Sequence, residues 1–351
     1  MRKCITILIL TLSLVSFHSF TKPGKLREIY SRDPSQWPKP NVDKDVNWQE
    51  LGPLPPPPFL PRTKAETHLV QLGKTLFFDP RLSGSGKISC GSCHQPELSW
   101  TDGRDKSLGH AGQVSKRNSP SLQNVWFYKK LFWDGRSHSL EDQVFAPINS
   151  ESEMHNDMAQ LPRNLRKVEG YTPLFDSAFG DASIDPDRIA KAIAAFEMTI
   201  TSRPSRFDQF LSGMSSALSD SEIKGLHLFR TKARCINCHN GPVFSDNSFH
   251  NNGQAGIDPG LYQVTHQEED RGKFKTPSLR NVMRTGPWMH DGKHSEMWKL
   301  IMAYSSPSGS AGQDKLLRKL RLSARERLDL LAFLNAISPE PLEFQKPTLP
   351  E

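Results

Sequence analysis

The sequence has no dense cluster of lysine and arginine, although its formal charge is +7. Nucleic-acid binding needs a basic patch or stripe, so that class is set aside. The mild positive balance suits either ordinary solubility or an acidic redox partner. No convincing run of strand-like alternation appears, which argues against a fold built on sheets. The apolar stretch Ile5 to Phe17 falls short of the about 20 residues that a membrane-spanning helix requires. It follows Met1-Arg2-Lys3, and a short basic start before a short apolar core reads as an export signal over residues 1–20. Phe17-His18-Ser19-Phe20 is not a clean small-x-small cleavage site, so a retained anchor is the alternative. Cysteine is scarce, five in 351 residues. Cys4 falls inside the signal, and four remain. In an exported chain, periplasmic or otherwise, four cysteines would ordinarily pair as two disulfides. Their spacing argues otherwise.

The four fall as Cys90-Gly91-Ser92-Cys93-His94 and Cys235-Ile236-Asn237-Cys238-His239. Each is a C-x-x-C-H string, the attachment sequence of a c-type haem. Two thiols one turn apart add to the two vinyl groups of one haem, and the histidine that follows reaches the iron as proximal ligand. The two strings lie too far apart in the chain for a compact zinc site. A thioredoxin-like dithiol needs a βαβ setting that the sequence does not offer. Two covalently bound haems, at Cys90, Cys93 and His94 and at Cys235, Cys238 and His239, are the reading.

With 36% hydrophobic and 24% charged residues, the chain has the composition of a folded protein, and its length suits two domains. The 27 prolines and 23 glycines predict long irregular connections. A proline-rich segment over 21–64 carries Trp37, Trp48, Phe59 and Leu60, which could wrap it onto a domain surface rather than leave it a spacer. Apolar spacing predicts a helix over 66–78. Asp185-Pro186, a cap and a first-turn proline, predicts another over 187–201. Ser219 with Glu222 and Ser323 with Glu326 read as capping boxes opening two more. Helix, C-x-x-C-H, long loop, helix is a cytochrome c order, and the two halves look like distant repeats of it. The predicted fold is therefore mainly α, with two cytochrome c-like domains over 65–215 and 216–351, each with one covalently attached haem.

Four further strings carry a resemblance. They are Leu-Gly-Lys-Thr-Leu-Phe-Phe-Asp-Pro-Arg-Leu-Ser from Leu72, Arg117-Asn118-Ser119-Pro120, Phe132-Trp133-Asp134-Gly135-Arg136 and Pro277-Ser278-Leu279-Arg280-Asn281-Val282. Over about residues 66–337 the sequence resembles the bacterial di-haem cytochrome c peroxidases and their MauG-like relatives. The resemblance implies that the first haem meets hydrogen peroxide and the second receives or stores electrons. It places Trp133 as the inter-haem tryptophan and Glu153 as the distal glutamate, a general base and then acid in O–O cleavage. Gln143 matches a distal-pocket glutamine. His110 falls where peroxidases that need reductive activation carry a removable distal histidine. Asn118, Thr285 and the Pro287 carbonyl match the ligands of an interface calcium ion, a set of oxygens that suits a hard cation. Family members are often dimers.

The sixth ligand of the second haem departs from the typical peroxidase pattern. Counting on from Pro287-Trp288-Met289-His290-Asp291-Gly292 places Tyr304 where a methionine is usual, and MauG-like enzymes have tyrosine there. Met302 is the competitor, with Met289 and Met297 also near. A thioether raises the haem potential, whereas a phenolate favours ferric iron and lowers it. Tyr304 thus tilts toward MauG and His110 toward the peroxidase. The leading expectation is a peroxidase taking electrons from a small redox protein such as a cytochrome c or cupredoxin. The alternatives are MauG-like oxidation of a partner protein's side chains and, in another class, electron transfer without peroxide chemistry. A simple carrier has no need of Glu153 paired with Trp133.

Overall fold

The computed structural model describes residues 23–310 and 312–351, and the expected export signal with Cys4 lies outside them. Helices begin where side chains can take up the free N–H groups of a first turn. After α1 (Pro23–Tyr30), α2 (Lys64–Phe78) opens on a capping box. Thr63 Oγ1 accepts from the Glu66 N–H at 3.1 Å, and the Glu66 carboxylate accepts from the Thr63 N–H at 2.9 Å. The single turn α3 (Cys90–Cys93) carries the first cysteine pair. α4 (Leu140–Asn149), α5 (Leu161–Leu165), α6 (Tyr171–Phe179) and α7 (Pro186–Glu197) follow, and α7 starts on the predicted Asp185 cap. Next come α8 (Arg206–Leu211), α9 (Asp220–Arg230), α10 (Tyr262–Thr265), α11 (Met297–Ser305) and α12 (Ala324–Ala336). Ser219 and Ser323 form the two predicted boxes at α9 and α12. The strands β1 (Phe249–His250) and β2 (Phe274–Lys275) pair antiparallel, with Phe249 opposite Lys275. Among the described residues no helix is long and apolar enough to cross a membrane.

Two cores organise the chain. The first gathers Leu72, Leu76 and Phe77 of α2 with Ile189, Ile193 and Phe196 of α7. The second gathers Leu226 and Phe229 of α9 with Leu330, Phe333 and Leu334 of α12. Each rests on a helix crossing that only glycine permits. A Cβ on Gly73 would lie 1.8 Å from the Ala192 carbonyl oxygen, and one on Gly225 would lie 2.0 Å from that of Asp329. Each glycine is followed one turn later by a buried phenylalanine, Phe77 or Phe229. The halves are thus repeats in packing as well as in order. The first core runs to Ile200 and the second takes up Phe207 and Phe210 of α8, so the cores change ahead of the expected 215/216 boundary.

The chain ends are exchanged between the halves. Leu26, Tyr30, Trp37 and Leu51, near the start, are buried in the second core. Arg230, 1% exposed, fastens them: it donates to the Glu50 carboxylate at 2.9 Å, to the Tyr30 hydroxyl at 3.0 Å and to the Pro38 carbonyl at 2.9 Å. Of the residues expected to wrap, Trp37 is buried while Trp48 and Leu60 stay exposed. At the other end Phe344 packs on the first half, its ring 5.1 Å from Trp100 and 5.4 Å from Phe78 between centroids. Lys346 pairs with Glu97 at 3.1 Å, and the Glu351 carbonyl accepts from the Gly170 N–H at 3.1 Å.

Candidate functional site

The two C-x-x-C-H strings have one local design. In each, the histidine N–H closes the turn on the first cysteine carbonyl, at 3.0 Å for His94 and 2.8 Å for His239. In each, Nδ1 faces a backbone carbonyl, Trp100 at 3.1 Å and Phe244 at 3.0 Å. A carbonyl only accepts, so Nδ1 carries the proton and Nε2 keeps its lone pair, as an iron ligand must. Burial holds both imidazoles below their usual pKa and therefore neutral. No disulfide joins the four cysteines. Burial pushes every thiol up, Cys93 to about 11 and Cys235 to about 12. Desolvated thiols are poor thiolates, which speaks against a redox dithiol.

Both strings open into one continuous cavity of about 1720 Å³. That exceeds the ~300–1,000 Å³ typical of a single small-molecule pocket. Cysteine pairs, neutral histidines and shared volume together fit two c-type haems.

The signature strings build the walls. Arg117 donates to Asp134 at 2.5 Å and to Asp258 at 2.8 Å, tying Arg-Asn-Ser-Pro to Phe-Trp-Asp-Gly-Arg and to a second-half loop. Arg280 donates to Asp208 at 2.9 and 3.0 Å and to the carbonyl of Pro242 at 2.6 Å. Trp133 lines the cavity with its Nε1 donating to the Asn118 carbonyl at 2.9 Å, while its own carbonyl accepts from the Lys275 N–H at 2.9 Å. The indole is thereby held from within the first half, while the Trp133 backbone is tied to the second.

Glu153 lines the same cavity. Its carboxylate has no hydrogen-bond partner among the described residues, and burial raises its pKa against the opposing pull of Arg136. Gln143, on α4, faces the cavity as well. His110 is brought close by its backbone, whose N–H donates to the Glu153 carbonyl at 2.7 Å. Its ring stacks on His155 at 4.4 Å and does not line the cavity.

In the second half Tyr304, on α11, faces the cavity, and Asn252 Nδ2 donates to its hydroxyl at 3.3 Å. Burial raises the Tyr304 pKa. Met302 points outward and is 44% exposed, which removes it as a rival. Met289 and Met297 do line the cavity, and the Asn252 amide also lies 3.4 Å from Met289 Sδ. Asn118, Thr285 and Pro287 line the cavity as well. Asn118 Nδ2 donates to the Arg104 carbonyl at 2.9 Å.

One constellation was missed in the sequence. His250 donates from Nε2 to Asp246 at 2.8 Å and from Nδ1 to Asp314 at 2.5 Å. With a carboxylate at each nitrogen the ring is held as an imidazolium, burial being outweighed by the two acids so that its pKa is raised. Donor atoms of Cys238, Asp246 and His250 lie within 4.8 Å of one another. Both ring nitrogens are engaged as donors, so the trio is a fixed charge beside the second cysteine pair rather than a metal centre. Asp246, four residues before His250, was a readable signal; Asp314 was not.

Comparison with known proteins agrees with this geometry. Residues 67–216 match the family model described as di-haem cytochrome c peroxidase. The methylamine utilization protein MauG of Methylophilus methylotrophus is 40% identical over 288 residues, covering 80% of this chain and 85% of its own. The cytochrome-c peroxidase IdrP1 of Pseudomonas sp. (strain SCT) is 36% identical over 336 residues, covering 86% and 89%. Among solved structures, a MauG-like protein associated with microbial copper homeostasis is 31% identical, with a TM-score of 0.73 over 84% of this chain and 95% of its own.

Proposed function

Because this chain belongs to the di-haem cytochrome c peroxidase family, we propose that it reduces hydrogen peroxide to water with electrons from a small redox protein. The observation that carries this reading is the single cavity shared by both C-x-x-C-H strings, Glu153 and Trp133. When bound, the haems supply iron for peroxide at the first site and a store of electrons at the second. Glu153 takes the proton from the inner oxygen of peroxide and returns it to the outer one, so that water can leave. Its freedom from hydrogen-bond partners suits that exchange, and its raised pKa brings it nearer the working pH. Gln143 orients peroxide beside it. Trp133, tethered to both halves, relays an electron between them. Asn118, Thr285 and the Pro287 carbonyl are assigned to calcium as an all-oxygen set. Export rests on the basic and apolar start of the sequence.

A second reading is MauG-like oxidation of side chains in a partner protein. The outward turn of Met302 and the inward turn of Tyr304 favour it, because a phenolate ligand would make the second haem a poor electron acceptor. Stopped-flow absorbance of the fully oxidised protein with one equivalent of peroxide separates the two. A rapid, long-lived oxidised species supports the second reading. Reaction only after one haem is reduced supports the first and an activation step at His110. Failure to consume peroxide in either state leaves an electron carrier and refutes both.

A further inference from the structure

Lys275 ends β2, opposite Phe249, and its N–H is bonded to Trp133. Its side chain enters the cavity. Nζ sits 3.4 Å from the centroid of the Tyr128 ring, which is held in place because its hydroxyl accepts from the Ser278 N–H at 2.5 Å. Among the described residues Nζ makes no hydrogen bond and no ion pair. The arginines lining the same cavity contrast with it, Arg117 having two carboxylates and Arg280 one. An ammonium has three donors, and one aromatic face answers only part of what its hydration supplied. Burial with no opposing charge accordingly draws its pKa down to about 7. Lys275 is partly buried at the cavity wall and no carboxylate among the described residues answers its ammonium, so an anion entering the cavity meets an unpaired cation there.

Haem brings such an anion. With its vinyl edge tied to Cys90 and Cys93 or to Cys235 and Cys238, a haem would present its propionates away from that cysteine pair. Lys275 lies beside Trp133 and Tyr128, at the junction of the halves. We propose that Lys275 is a propionate-binding residue, donating from Nζ to a haem propionate carboxylate at that junction. The inference rests on the two-haem reading of the cavity. It makes Lys275 a positioning residue, which fixes one macrocycle and places a compensating charge next to the tryptophan that both halves hold.

The test uses the mature holoprotein carrying Lys275→Met or Lys275→Gln. Haem content by pyridine haemochrome checks the premise separately, because a content other than two haems fails the two-haem reading and not this one. Resonance Raman reads the propionate bending band, and spectroelectrochemistry reads both midpoint potentials. Loss of a cation at a propionate stabilises ferric iron. Lys275→Met is expected to shift the propionate band and lower the potential of one haem, leaving the other unchanged. Lys275→Gln, which keeps a donor but not the charge, is expected to lower the same potential with a smaller change in the band. If Lys275→Met does not mature, Lys275→Gln is read alone. A two-haem variant with wild-type band and wild-type potentials overturns the proposal.

Discussion

Replacing Glu153 by glutamine keeps the shape of the side chain and removes its capacity to move a proton. The carboxylate has no hydrogen-bond partner among the described residues, and its backbone is held independently: the N–H donates to Ser150 at 3.1 Å and the carbonyl accepts from His110. The substitution therefore breaks no bond and relieves a desolvated charge, so stability is expected to stay within about 0.5 kcal/mol of wild type. Activity should behave differently. A positioned general acid–base group is worth roughly 10²–10⁴ in rate. At about 1.36 kcal/mol per tenfold, this adds ~2.7–5.4 kcal/mol to the barrier. The pH profile gives a second readout. Turnover needs the ionised carboxylate, so it falls as pH drops through the Glu153 pKa. Burial places that limb above the usual carboxylate range, and Arg136 pulls it partly back. The assay is steady-state peroxide reduction with a reduced cytochrome c as donor, run from acid to neutral pH on wild type and variant with matched haem spectra. The expected result is loss of turnover together with loss of the acid limb. Turnover within about twofold of wild type, with the limb retained, would remove Glu153 from the proton path.

Tyr304→Met should raise the potential of the second haem, read by spectroelectrochemistry; an unchanged value would mean that tyrosine is not its ligand. Arg230→Met strands the Glu50 carboxylate and frees the N-terminal segment. Breaking such a buried pair costs about 3–5 kcal/mol, measurable by urea unfolding, and an unchanged midpoint would show the segment to be ornamental. Phe344→Ala strips a half-buried ring from the Phe78 and Trp100 cluster. Its cost, about 1–2 kcal/mol, should fall below that of a fully buried phenylalanine and should appear in the unfolding of the first half.

Much of this was legible because the signals are local. C-x-x-C-H needs only five residues, and the caps at Asp185, Ser219 and Ser323 act on N–H groups three residues away, whereas the Thr63 box that starts α2 two residues ahead of the predicted 66–78 was not read. α4, α6 and α11 were harder to place. α4 contains Pro147, and α6 begins and ends on glycines without a side-chain cap. The choice between Tyr304 and Met302 was a question of helix face: Met302 is exposed, while Tyr304 lines the cavity together with Met289 and Met297. The partners of His250, Lys275 and Phe344 could not be read, since each meets a group far along the chain. Asp314 lies 64 residues from His250, and no periodicity encodes that distance. Lys275 sits two residues before a recognised string, yet burial of a lysine leaves no mark in composition.

The exchanged ends bear on how the molecule is made. Glu50 waits through 180 residues of synthesis before Arg230 exists to receive it. The aromatic cluster around Trp100 is completed only when Phe344, almost the last of the chain, has been translated. The first half cannot finish in the order in which it is made, whereas the second half meets an N-terminal segment already present. The Cys90 pair is thus in place while its half is still loose, and the closure of that half awaits Phe344. Haem attachment has a window before closure, and the architecture sets its end.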